Sequence, residues 1–446
     1  MYFLYTFALF LYLVALFPVV VCTRLRRGKP IGNISDRFGR LRPVLNPDHE
    51  RSIWVHAVSV GEVLAIRVLL SGLRETYPQH RLLLSTTTAT GQQVARQLGS
   101  VVDGTFYAPF DLPPFVSRTL DRVAPELLVM VDTEIWPNLL RECRSRGVKT
   151  VLVNGRLSNR SYRGYQLARP FMRRVLEHLD LACVQTEAWG QRFVDLGLKP
   201  ECLIITGSLK FDALEVPATG ADPYVADRVL PYFGFTKGRQ VLIAASTLRG
   251  EEEPVLRAFR RIRSKDLDAV LIVAPRHPER FEEVYQLAVR EGFTVARRTE
   301  LRPGGGIPAA VVILDTIGEL TRLFQIATLV FVGGSLVPAG GHNVLEPAIF
   351  GKAIVFGPHM ENFGEIARLF VEGSAACQVR SARELEDLLP MLVADPERRA
   401  SLGAAARAMV DKNRGARHHS LSVIAGLLPP DRSHRTIDAR PLHAVP

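Results

Sequence analysis

Short apolar, β-branched runs recur along this chain at a spacing that leaves room for one helix between each pair, and that rhythm constrains the fold more than any other feature. IWVHAV, RLLLST, ELLVMVD, KTVLVN, LACVQT and CLIITG follow one another from Ile53, each ending in a polar turn that opens a helix-like stretch. Runs that are apolar throughout, rather than alternating, suit strands covered on both faces, so the expectation is a parallel sheet wound by βαβ crossovers. A second series, VLIAAS, AVLIVAP, AVVILD, TLVFVGG and AIVFG, begins after a stretch of linker composition around Val216–Asp222. A chain of 446 residues also exceeds what one core sustains. Two doubly wound α/β domains are expected, over 30–215 and 223–428, with a disordered tail over 429–446.

Ahead of the first domain, residues 2–22 hold no charged side chain and supply enough helix to cross a hydrocarbon core of ~30 Å. Arg24, Arg26, Arg27 and Lys29 follow at once, a flank that stays cytoplasmic. A single membrane-spanning anchor with the domains on the cytoplasmic side is therefore expected. A cleaved signal peptide is the competing reading, but no basic residue precedes the apolar run, which is longer than a signal core. The five cysteines form no CxxC pair, which suits a reducing compartment. The net charge of +11 suits an anionic partner: nucleic acid, anionic lipid or a phosphorylated substrate.

Ligands of doubly wound sheets bind at the carboxyl ends of the strands, and those ends carry the unusual residues here. HAVSVGE places Glu62 at the start of a helix, where it offers a carboxylate to a ligand or, with Ser59, completes a capping box. DTEIWPN places Glu134 at a second strand end, as a functional carboxylate or a helix-terminal charge. Two carboxylates from separate strand ends offer a general base and a group that supports it. NGRLS and GSLKFD each join Gly or Ser to a cation, Arg156 and Lys210, and suit an anionic ligand. In the second domain, STLRGEE opens a helix with backbone N–H groups available to an anion. APRHPERF adds Arg276 and His277, and DTIGEL opens a further helix. A glycine-rich stretch, Gly333-Gly334-Ser335 through Gly340-Gly341, leads to HNVLEPA, where backbone can approach phosphate and Glu346 suits ribose hydroxyls or the helix dipole. GxxxxGK[ST], HExxH and a strand-following GxGxxG are absent, and the nearest DxD, Asp266–Asp268, precedes a strand. Group transfer without metal or cofactor is expected.

Taken in order, the apolar N-terminus, HAVSVGE, TEIWPN, GSLKFD, APRHPERF, GEL and GGSLVPAGGHNVLEPA resemble the 3-deoxy-D-manno-octulosonic acid (Kdo) transferases of lipopolysaccharide synthesis, nearly end to end. The resemblance implies the GT-B glycosyltransferase fold: two Rossmann-like domains with an interdomain cleft, the first binding acceptor and the second CMP-Kdo. It implies transfer of Kdo to the lipid A precursor (lipid IVA) at the inner membrane by a single inverting displacement that releases CMP, with no nucleic acid as partner. It makes Glu62 the general base and gives Glu134 and Lys210 to transition-state stabilisation. Pro275, Arg276, Gly318, Glu319, Asn343, Val344, Leu345 and Glu346 fall in the loops that bind CMP in relatives. Val58 stands where many relatives carry a smaller residue. Rival readings are another GT-B transferase or a related epimerase, and a catalytically silent nucleotide- or glycolipid-binding protein.

Overall fold

The computed structural model describes residues 1–27, 33–213, 239–302 and 309–429. The linker stretch, Lys29 and the tail beyond 429 lie outside the described residues. Two compact units emerge, Met1–Ala213 with Arg414–Pro446, and Leu214–Asn413.

The first unit is built on β1 (Ser52–His56), β2 (Arg81–Thr86), β3 (Gly104–Tyr107), β4 (Pro125–Val131), β5 (Lys149–Gly155), β6 (Leu181–Val184) and β7 (Leu203–Ile205). They form one seven-stranded sheet in the order β3-β2-β1-β4-β5-β6-β7, parallel at every pairing. Alternate residues of single strands enter different cores, as the pleat requires. Trp54, Leu83, Leu128 and Leu152 pack on one face, while Ile53, Val55, Leu82, Leu84, Val129, Val151 and Val153 pack on the other. Covering both faces is why these runs are apolar throughout. The winding reverses between β1 and β4, and the crevice at such a switch point is where ligands of this architecture bind.

The second unit holds β8 (Val241–Thr247), β9 (Val270–Pro275), β10 (Val295–Arg297), β11 (Val311–Ile313), β12 (Leu329–Val332), β13 (Ala353–Phe356) and β14 (Cys377–Gln378). Its seven-stranded sheet runs β10-β11-β9-β8-β12-β13-β14, again parallel, with the reversal between β8 and β12.

Two expectations change. The last helix, Ala416–Leu427, falls in the stretch read as second domain, yet it packs on the first unit. Ala416 and Ile424 join the core of Leu69, Leu70 and Leu73. Asp212 holds the helix start by accepting the N–H groups of Gly415 (2.9 Å) and Arg417 (2.8 Å). The spanning anchor over 2–22 is the second. A helix does form over Tyr2–Arg27, but among the described residues no helix is long and apolar enough to cross a membrane. Its first turns are instead fastened to the first unit: the Tyr5 hydroxyl donates to Asp111 (2.9 Å), Thr6 bonds Asn138, and the Tyr2 ring packs edge-on against Phe171.

Candidate active site

The chain leaves β1 through Ala57–Ser59 and enters the short helix Val60–Ala65, which carries Glu62 in its first turn. Ser59 occupies the cap position without capping through its side chain. Its hydroxyl donates to Glu62 instead (2.8 Å), and the Val58 N–H donates to the other carboxylate oxygen (2.7 Å). The capping-box reading is thus only partly met, because the carboxylate reaches back while the reciprocal bond is missing. Burial pushes the Glu62 carboxyl up to about 7, aided by the negative charges of Asp132 and Glu134 and opposed by those two hydrogen bonds.

Across the switch point, β4 ends at Val131 and the backbone turns left-handed at Asp132 (φ 60°); Asn154, near the end of β5, does the same (φ 56°). Asp and Asn tolerate this conformation better than other non-glycine residues. The two are joined: Asn154 Nδ2 donates to Asp132 (2.5 Å), and Arg156 Nε donates to its other oxygen (2.8 Å). Asn154 Oδ1 in turn accepts the N–H of Leu209 (3.0 Å), first residue of the short helix Leu209–Asp212 that carries Lys210. One bonded chain therefore links the loop of Glu134 to the turn of Lys210. Within it Arg156, expected to meet an anionic ligand, is paired to a buried carboxylate. Glu134 accepts from the Trp136 indole N–H (2.8 Å), and burial raises its carboxyl above the usual range.

In the second unit the expected nucleotide residues come from three strand ends. Pro275 closes β9, and Arg276 follows it exposed at the surface. Gly318 takes φ 90°, a left-handed turn that glycine allows, and places Glu319 ahead of the helix Leu320–Leu323. Glu319 is held by Arg298 (3.0 Å) and by the Thr316 hydroxyl (2.6 Å). Beyond β12, Asn343 donates to Glu346 (3.0 Å) and accepts the N–H of Leu345 (3.1 Å), with Val344 and Leu345 buried beneath. Thr321 donates to the other Glu346 oxygen (3.0 Å), which ties the β11 and β12 loops together. The His342 pKa is driven down to about 4 by burial and then by the charges of Arg276 and His277.

The glycine-rich loop differs from expectation. Its amides at Gly334, Ser335 and Leu336 donate to the buried Glu251 carboxylate at 2.7–2.9 Å, as does Leu248 N–H at 2.8 Å. They are not available to a phosphate. Gly334 must be glycine for a packing reason too, since a Cβ would lie 2.8 Å from His342 Nε2. Sequence reasoning gave Asp132, Asn154 and Glu251 no role and passed over Arg298. A polar residue ending an apolar run was the available signal for the first two, and none pointed to Arg298. Among the described residues, no three His, Cys, Asp or Glu side chains gather in a way that could hold a metal ion.

Over residues 32–213 the chain matches the family model described as 3-Deoxy-D-manno-octulosonic-acid transferase (kdotransferase). The 3-deoxy-D-manno-octulosonic acid transferase of Haemophilus influenzae is 34% identical over 394 residues, covering 88% of this chain and 90% of that protein. Its namesake from Bordetella pertussis is 33% identical over 399 residues, 87% and 90% of the two. Among solved structures, the UDP-GlcNAc 2-epimerase of Neisseria meningitidis aligns with TM-score 0.56 at 11% identity, over 85% of this chain and 99% of that one. A glycosyltransferase of Rickettsia africae aligns with TM-score 0.54 at 11% identity, over 86% and 99%. At such identity these two likenesses are of fold alone: two parallel-sheet α/β units of the GT-B kind.

Proposed function

The chain belongs to the 3-deoxy-D-manno-octulosonic acid transferase family and is a glycosyltransferase, and on that premise we propose that it transfers Kdo from CMP-Kdo to the lipid A precursor, lipid IVA. The observation that carries the reading is the half-buried Glu62, pushed to about 7 at the switch point of the first sheet by desolvation and by the charges of Asp132 and Glu134. A general base works best with a pKa near the operating pH. Glu62 takes the proton of an acceptor hydroxyl, the oxygen attacks the anomeric carbon of Kdo, and CMP leaves from the opposite side. Inversion follows from the single displacement.

Glu134 and Lys210 stabilise the transition state, with Lys210 answering the charge that gathers on the sugar carboxylate and departing phosphate. Pro275, Arg276, Gly318, Glu319, Asn343, Val344, Leu345 and Glu346 hold CMP. Glu346, oriented by Asn343 and Thr321, takes the ribose hydroxyls, and Arg276 takes the phosphate. The transfer requires no metal. The exposed Phe3, Leu4, Phe7, Phe10 and Leu11 of the first helix, with the basic stretch after it, support association with the cytoplasmic face of the inner membrane, where the acceptor's anionic headgroups lie.

The test is transfer from CMP-Kdo to tetraacyl lipid A precursor by detergent-solubilised protein, with Glu62→Gln in parallel and products weighed by mass spectrometry. Wild-type product of acceptor plus one or more Kdo masses, absent in the variant, supports donor, acceptor and base together. CMP binding without any transfer favours a binding protein. Transfer only from another nucleotide sugar overturns the choice of donor.

A further inference from the structure

His56, the last residue of β1, is fully buried and lies on the same face of the strand as Trp54. Both reach the Ser85 hydroxyl of β2: Trp54 Nε1–H at 2.7 Å and His56 Nδ1 at 2.8 Å. The hydrogens placed there bear on the histidine's tautomer. An indole N–H only donates, so Ser85 Oγ accepts from Trp54 and keeps its own hydrogen to place. Among the described residues, His56 Nδ1 is the one acceptor bonded to it. If Nδ1 carried the hydrogen instead, Ser85 would receive two donors and leave its own hydroxyl hydrogen buried and unpaired. With Nδ1 as the acceptor the Ser85 hydroxyl hydrogen is paired, and Nε2 turns an N–H rather than a lone pair toward the nearest carboxylate, Glu134.

That Nε2 has no hydrogen-bond partner although it is buried. The acceptor it faces is Glu134 Oε2, at 3.9 Å, the same oxygen that accepts the Trp136 indole N–H at 2.8 Å. Trp136 also packs edge-on against the imidazole, with ring centroids 4.9 Å apart, which fixes the ring's orientation. Burial drives the His56 pKa down to about 4, so the group is neutral at physiological pH. It donates a hydrogen bond without adding a charge. The imidazole cannot travel within its packed layer. Glu134 sits on a loop with its side chain 22% exposed, so a shift of roughly 1 Å by the carboxylate would bring the pair to hydrogen-bond distance.

We propose that His56 is a positioning residue for the transfer, whose Nε2–H receives the Glu134 carboxylate when substrate fills the site and holds it, jointly with Trp136, in its working orientation. The assignment rests on the reading of Glu134 under the proposed function. Two donors fix both the position and the rotation of a carboxylate, whereas Trp136 alone leaves it free to swing on a single bond.

The full-length protein in detergent tests this through His56→Leu and His56→Gln, the second of which retains an N–H donor near the Nε2 position. The Leu variant is expected to lose about 10- to 100-fold in kcat, less than the ~10²–10³-fold cost of removing a donor that touches the reacting atoms because His56 acts through Glu134, while KM for CMP-Kdo and for acceptor stays within about twofold. Gln is expected to restore most of the loss. In a Glu134→Gln background, His56→Leu is expected to cost far less than in wild type, because the two act as a unit. Equal impairment of the Leu and Gln variants, a loss confined to KM, or full additivity with Glu134→Gln would overturn the proposal. Selective 15N-histidine labelling supplies a readout independent of activity. The resonance lost in either variant belongs to His56, and its cross-peak pattern must be that of the Nε2–H tautomer. An Nδ1–H pattern would overturn the assignment even in active protein. If wild type transfers no Kdo at all, the proposed function fails while the tautomer result still stands or falls separately.

Discussion

Glu62 is held between opposing influences that its neighbours set. Burial and the charges of Asp132 and Glu134 favour the protonated carboxyl, and the Val58 amide and Ser59 hydroxyl favour the anion, with a balance at about 7. A base acts ionised, so transfer should rise as pH climbs through about 7, with kcat/KM showing an acid limb governed by one proton. Ser59→Ala removes a bond to the anion and should move that limb to higher pH. Glu62→Gln should lower the rate by about 10²–10⁴-fold across the whole range. Stability carries the opposite sign. A carboxyl whose folded pKa is raised above its unfolded value contributes stability below the unfolded pKa and loses it as pH rises to about 7. Thermal melts should therefore find Glu62→Gln more favourable, relative to wild type, at pH 8 than at pH 5. Glu62 and Glu134 were legible in the sequence because each lies in the short polar turn that follows an apolar strand. What Asp132 does was not, since its partners Asn154 and Arg156 lie more than twenty residues away and a left-handed backbone leaves no mark in composition.

At the scale of elements, the parallel strands could be read because burial on both faces makes their runs uniformly apolar. Their order in the sheet could not, since nothing in an apolar run says which neighbour it pairs with. The glycine-rich loop after β12 misleads for a related reason. Glycines at a strand end suit a phosphate cradle, but the group that takes these amides is Glu251, 83 residues before Gly334 in the chain. Its carboxylate is the brace of the loop, accepting four N–H groups from Leu248, Gly334, Ser335 and Leu336. Each buried amide left without a partner costs about 1–3 kcal/mol. Glu251→Ala should therefore destabilise the second unit by several kcal/mol in chemical denaturation and abolish CMP binding, because the loop leads directly to Asn343 and Glu346. Glu251→Gln keeps the shape but offers a single acceptor oxygen, and should fall between the two. A Glu251→Ala protein with unchanged stability would mean that the loop holds itself.

The route of the whole chain carries a consequence that neither sheet shows alone. The polypeptide leaves the first unit after Ala213, builds the second, and returns at Arg414, so the first unit is complete only when its last helix is in place. That return could not be read from the sequence, because a stretch rich in Ala, Leu and Arg shows an apolar face without naming the core it joins. Here the face meets Leu69, Leu70 and Leu73 through Ile424, and Asp212 receives the helix start from the same short helix that carries Lys210. Terminal helix and Lys210 turn are therefore one mechanical piece. Ile424→Ala, which empties a buried site, should cost the first unit about 2–5 kcal/mol. Hydrogen exchange should quicken in Arg67–Thr76 and Leu209–Asp212 and stay unchanged in β8, β9 and β12. Transfer should fall with CMP affinity retained, since the residues proposed to hold CMP belong to the other unit. Faster exchange in β8 and β12 would instead show the two units unfolding as one.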